Sequence, residues 1–180
     1  MKQLVLLILT LLFVSCLPGD EVPTTRPDDF ALYYQWDESS LPPPYYYSYL
    51  IIIEPNNKRL PLGSFGLIRL EPDYTSEQTP VWLETFPLTE MYLNQLYAML
   101  LENDFFETTW KSKAIPPLGT RSESLTVIAG GVQTVLPSFV IPEQQGSASR
   151  ITAAVNTLVP QEIWTKLEAQ REQYMEEYQQ

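Results

Sequence analysis

Residues 88–106, LTEMYLNQLYAMLLENDFF, constrain the fold more than any other stretch of this chain. On a helix of 3.6 residues per turn, Tyr92, Leu93, Leu96, Tyr97, Met99 and Leu100 fall within an arc of about 160°. Asn94, Gln95, Ala98 and Glu102 take the opposite side. Thr89 suits the N-cap, and Glu90 puts a negative charge in the first turn, where the helix dipole favours it. Asn103 and Asp104 mark the stop, and Phe105 and Phe106 then carry two rings into whatever the helix covers. Strand-like segments lie on both sides of this helix, so its apolar stripe is expected to lie on a sheet, with Leu96 and Leu100 buried.

Those segments have distinct patterns. Residues 30–36 (FALYYQW) read as a first short strand, and 37–44 as a loop ending in three prolines, which must be extended. Residues 45–53 (YYYSYLIII) form the strongest strand pattern. Tyr45, Tyr47, Tyr49, Ile51 and Ile53 share one face; Tyr46, Ser48, Leu50 and Ile52 share the other. Both faces are largely apolar, so the expectation is a central strand covered on each side. The tyrosines read first as core and sheet-rim packing. Their functional alternative is an exposed row, which makes Tyr45, Tyr47 and Tyr49 the candidate contact surface, since tyrosine offers large contact area at small entropy cost.

Residues 65–71 and 81–86 are further strands separated by a polar turn. Gly63-Ser64-Phe65-Gly66 lacks the spacing of a dinucleotide fingerprint or a P-loop and reads as a bulge or strand start. After the helix, 107–123 is an irregular connection. Two alternating runs, 125–129 and 132–136, flank Gly130-Gly131, the clearest hairpin signal in the chain because both central residues must take positive φ. Ser147 or Ser149 is expected to cap a short helix with Ile151, Ala154, Val155 and Leu158 on one face. Pro160 suits the start of a last helix from Gln161 to about Tyr178, where Ile163, Trp164, Leu167, Tyr174 and Tyr178 recur at helical steps. The order gives an α+β fold: an antiparallel sheet packed by a central helix and C-terminal helices, in a single domain over 30–180. Over residues 65–164 the pattern loosely resembles small secreted or lipoprotein domains of uncharacterised families, a likeness that transfers no site.

The N-terminus reads as an address. Met1-Lys2-Gln3 is a short positive region, residues 4–14 are an apolar run too short to cross a bilayer, and Ser15-Cys16 follows. Phe13-Val14-Ser15-Cys16 resembles the lipobox of bacterial lipoproteins, although that pattern usually has Leu where Phe13 stands. The resemblance implies a signal peptide over 1–15, lipidation of Cys16 as the first mature residue, and a tether over 16–29. It also implies membrane attachment through the lipid anchor, in the bacterial cell envelope, facing the periplasm or the cell surface. By analogy with enterobacterial sorting, Leu17 after the cysteine points to the outer membrane. The alternative is an ordinary secretory signal cut after Cys16 or Gly19. The proportions of the leader and the position of the only cysteine favour the anchor, since several acyl chains hold a protein at a membrane where one does not.

Composition removes whole classes of function. There is no histidine and one cysteine among 180 residues, which excludes an internal disulfide, a Cys/His zinc site and a histidine-based triad. A formal charge of -11 repels nucleic acid. Neither a Ser-x-x-Lys arrangement nor a nucleophile elbow occurs. Asp73-Tyr74-Thr75-Ser76-Glu77 alternates oxygens but lacks the acid count and glycine of a calcium loop, so it reads as a turn. Glu84, Glu90, Glu102, Asp104 and Glu107 are the acids nearest core elements that could form a catalytic carboxylate pair. In so acidic a chain, capping and solvated roles explain them better. The expectation is therefore a non-enzymatic binding or scaffolding module with no metal and no cofactor, meeting an envelope protein or glycan; the alternative is a carboxylate-dependent envelope hydrolase.

Overall fold

A computed structural model describes residues 25–38, 41–42, 44–55, 64–72, 80–114 and 121–178. Alternating residues in six segments build one antiparallel sheet: β1 (Ala31–Asp37), β2 (Ser48–Ile53), β3 (Ser64–Glu71), β4 (Trp82–Leu88), β5 (Ser122–Ala129) and β6 (Val132–Leu136). The strand order is β4-β3-β2-β1-β5-β6. Strands β1 to β4 form a meander running to one edge. Helix α1 (Glu90–Glu102) then carries the chain back so that β5 pairs with the free side of β1. The fold is α+β.

Register decides which residues meet. Tyr34 lies opposite Ile51 on one side and Leu125 on the other; Ile51 faces Ile68, and Leu125 faces Leu136. This row crosses five strands and is buried throughout. Phe30, Leu32, Ile53, Leu70, Phe86, Leu88 and Val127 extend it along the same face. All three helices pack there: Tyr97 of α1 against Phe30, Asn156 of α2 (Gln145–Asn156) against Tyr34 and Tyr49, and Trp164 and Tyr174 of α3 (Gln161–Tyr178) against Tyr49 and Trp82. Each fully buried large apolar side chain contributes about 1.5–3 kcal/mol relative to exposure.

Helix α1 forms where its pattern places it. The Thr89 side chain accepts a hydrogen bond from the Tyr92 amide at 3.2 Å, and Leu93, Leu96 and Leu100 are its buried residues. Tyr92, expected in the apolar stripe, is instead exposed. The buried arc is narrower than the apolar one because α1 covers the sheet along only one line. The hairpin turn also forms, with φ of 59° at Gly130 and 74° at Gly131. Gly66, read as a bulge or strand start, lies inside β3 opposite Phe86, whose ring occupies the space a Cβ would need.

Several expectations are corrected. Strand β2 begins at Ser48, because the amides of Tyr45 and Tyr46 donate to the Pro42 carbonyl at 2.9 and 3.2 Å and close a turn. Its second face is not covered: Leu50 and Ile52 lie on the side away from the helices and are partly exposed. Helix α2 starts at Gln145, before either serine, and is led in by a 3-10 turn (Pro142–Gln144) with no capping side chain. The last part of the compositional tether is bonded to the domain. Arg26 reaches Glu90 at 2.8 Å and its amide reaches Asn94 Oδ1 at 3.3 Å. Asp29 accepts from the amides of Gly130 and Gly131 at 2.7 and 2.6 Å. Cys16 and the turn over residues 73–77 lie outside the described residues. Among the described residues, no helix is long and apolar enough to cross a membrane.

Candidate functional site

The aromatic residues of β1 and β2 converge at the Asp37 end of the sheet. Trp36 and Tyr49 are cross-strand partners on the helix-covered face, so their rings stack at 5.1 Å with planes 15° apart. Tyr47, just before β2, lies 4.8 Å from Trp36. Trp164 of α3 meets Tyr49 edge-on at 5.0 Å, and Tyr34 lies 6.0 Å from it. Stacked and edge-on pairs of this kind add about 0.5–1.5 kcal/mol each beyond burial.

Two guanidinium groups close over this cluster. Arg171 of α3 sits 4.1 Å from the Tyr47 ring centroid, and Arg121 lies 5.8 Å from the Trp36 ring. Arg121 also donates from Nε to Glu38 Oε2 at 2.6 Å. The Glu38 side chain is only 6% exposed while that of Arg121 is 73% exposed, so a buried carboxylate is neutralised by a surface cation. The hydrogen bond to Glu38, and its charge, raise the Arg121 pKa above its ordinary value. Among the described residues no carboxylate pairs with Arg171, which is held by the ring instead.

Beneath the rings runs a polar clasp. The Tyr34 hydroxyl donates to Glu123 Oε2 at 2.8 Å and accepts from Asn156 Nδ2 at 3.2 Å. The Tyr49 hydroxyl donates to Asn156 Oδ1 at 2.9 Å. Burial, then the neighbouring Tyr49 and Glu123, push the Tyr34 phenol far above its ordinary value; burial does the same for Tyr49. Both stay protonated and act as hydrogen-bond donors, not as bases or nucleophiles. The clasp ties α2 to β1, β2 and β5 and fixes the rings above it.

Two of the acids proposed for catalysis are taken up in ion pairs. Glu84 on β4 pairs with Lys166 of α3 at 2.5 Å, and Glu90 pairs with Arg26. Glu102, the last residue of α1, and Asp104 and Glu107 just past it are exposed, about 18 Å or more along the helix from Glu90. Among the described residues no group of three acids or cysteines could hold a metal.

Of the three tyrosines read as a contact row, only Tyr45 is strongly exposed. Tyr47 is half-buried beneath Arg171, and Tyr49 belongs to the packed cluster. The row is therefore not a continuous exposed surface. Sequence reasoning missed Arg121, Arg171 and the role of Trp36. The first two carry no local signal, since each meets its ring through tertiary packing alone.

No known protein-family model matches this chain, and no curated protein matches it.

Proposed function

We propose that the chain is a non-enzymatic binding module of the bacterial cell envelope, held at a membrane by a lipid on Cys16. Its contact surface is the shelf of Trp36, Tyr47, Arg121 and Arg171, with Tyr45 at the rim. One observation supports this reading above others: in a chain of charge -11, the Arg171 guanidinium rests on an aromatic ring and has no carboxylate partner among the described residues. Tyrosine, tryptophan and arginine are the side chains that most often anchor protein contacts, because they combine area, hydrogen bonding and rigidity. The guanidinium charge suits a carboxylate on an envelope protein, in the planar two-point contact that arginine makes and lysine does not.

The test is direct. Arg171→Ala and Tyr45→Ala should lose native partners in affinity purification while remaining folded in a thermal melt. Partners retained by both variants would overturn this surface. The anchor is tested separately: wild type should incorporate labelled fatty acid in a bacterial host and Cys16→Ala should not. Turnover of a cell-wall glycan by purified protein, abolished by one Glu→Gln change, would overturn the non-enzymatic reading.

A further inference from the structure

The antiparallel sheet has two ends, and they carry different surfaces. Ala31, Ile53, Ser64, Leu88, Ala129 and Val132 mark one end; Asp37, Ser48, Glu71, Trp82, Ser122 and Leu136 mark the other. At about 3.3 Å per residue, the two ends are roughly 20 Å apart. The ring-and-guanidinium shelf belongs to the Asp37 end. Helix α1 starts at the Ala31 end, directly after Leu88.

The segment leading to Cys16 leaves the domain at that same end. Arg26 is fastened to Glu90 and Asn94 on the first turns of α1, and Asp29 is fastened to the hairpin turn at Gly130 and Gly131. From Cys16 to Thr25 the chain has 25 − 16 = 9 residue steps. Fully extended, nine steps reach about 30 Å at most. An anchor at Cys16 therefore keeps this end of the domain within about 30 Å of the bilayer.

What this end exposes suits a lipid surface. Met91 is 60% exposed, Tyr92 53% and Val132 59%, all at the Ala31 end. Two grooves flank α1, one of ≈ 460 Å³ lined by Pro87, Leu96, Met99 and Leu158 among others, and one of ≈ 480 Å³ lined by Met91, Asn94, Gln95 and Ala98. The carboxylate of Glu90 is paired with Arg26, and that of Asp29 accepts two amides. Among the described residues there, Asp28 and Glu54 remain exposed, which favours neutral over anionic headgroups.

We infer that the first half of α1, with Met91 and Tyr92 at its tip, rests on the neutral headgroup region of the bilayer in which Cys16 is anchored. The Trp36–Tyr47 shelf then faces away from the membrane, toward soluble or wall-bound partners. Methionine supplies adaptable apolar contact, and tyrosine has the apolar body and polar tip favoured at a membrane interface. This orientation rests on the lipid anchor proposed above.

The experiment uses the full chain, processed in a bacterial host and reconstituted into phosphatidylcholine vesicles containing some headgroup-nitroxide lipid. A bimane label is placed on Met91→Cys, on Val132→Cys or, at the opposite end, on Leu41→Cys. Lipidation occupies the Cys16 sulfur as a thioether, so each variant offers one free thiol. Fluorescence at 91 and 132 should fall about twofold or more relative to nitroxide-free vesicles, because interfacial side chains lie within about 5–10 Å of the headgroup boundary. Fluorescence at 41 should not change. Equal quenching at all three positions, in protein that floats with the vesicles, would overturn the orientation and leave the anchor standing. Protein that neither floats nor incorporates fatty acid would overturn the anchor and the orientation together.

Discussion

Ile51 and Ile52 are neighbours in β2 with identical side chains and opposite surroundings. Ile51 is fully buried between Tyr34 and Ile68 under the helices, whereas Ile52 lies on the face no helix covers and is partly exposed. The same contrast runs across the whole sheet. The covered face carries the buried row of Ile68, Ile51, Tyr34, Leu125 and Leu136. The open face mixes Leu50, Ile52 and Ile128 with Gln35, Arg69 and Gln133, and leaves Leu83 and Val135 exposed. Antiparallel sheets tolerate such asymmetry because hairpin connections need no helix on the second face. β-Branched residues on an open face therefore report strand geometry as much as burial.

The largest expected effect breaks the covered face. Ile51→Ala should cost about 2–5 kcal/mol in chemical denaturation, the range for large-to-small changes in a packed core. A cost below about 1 kcal/mol would show that the covered face is not the core.

A smaller effect is expected at the polar clasp. Tyr34→Phe keeps the ring but removes the donor to Glu123 and the acceptor of Asn156, at a cost of about 1–3 kcal/mol for polar groups left unpaired. Asn156→Ala should reproduce much of this loss, and the double variant should cost less than the sum of the two. Strict additivity would mean that the two side chains do not act as one unit.

The sequence made the covered face easy to read and the clasp invisible. Thr89, Gly130-Gly131 and Pro160 signal α1, the hairpin and α3 through contacts within a few residues, and those elements formed where expected. The number of layers was not legible, because YYYSYLIII is apolar on both faces and periodicity alone does not count what lies above each. The candidate site was legible only in part. The tyrosine row singled out Tyr45, Tyr47 and Tyr49, of which Tyr49 packs into the cluster, and Arg171 reaches Tyr47 across 171 − 47 = 124 positions. Such a contact follows from strand register and helix docking, neither of which leaves a local pattern.

A local effect is expected where the incoming strap meets the hairpin. The amides of Gly131 and then Gly130 hold the Asp29 carboxyl below its ordinary value of 3.8. A depressed folded-state pKa gives stabilisation that is complete above the unfolded value and is lost as pH falls through the folded one. Hydrogen exchange at Gly130 and Gly131 should therefore speed up, relative to the rest of β5 and β6, as the pH drops below about 4. Asp29→Asn should show no such pH dependence. Identical pH profiles for both proteins would mean that the carboxylate does not hold the turn.

The smallest effect sharpens the comparison from its other side. Ile52→Thr keeps a β-branched side chain in the strand but removes apolar area from the open face. If water covers that face, the cost should stay within about 0.5 kcal/mol, since strand geometry is preserved and little buried surface is lost. The measurement is a denaturant midpoint at two protein concentrations, with Ile51→Thr as its internal contrast. Ile51→Thr puts a hydroxyl into the fully buried apolar row between Tyr34 and Ile68, so it should be clearly the more costly of the two. A cost at Ile52 approaching that at Ile51, growing with protein concentration, would show that the open face is covered by a second copy of the chain. The two isoleucines would then differ in which molecule buries them, and no longer in whether they are buried.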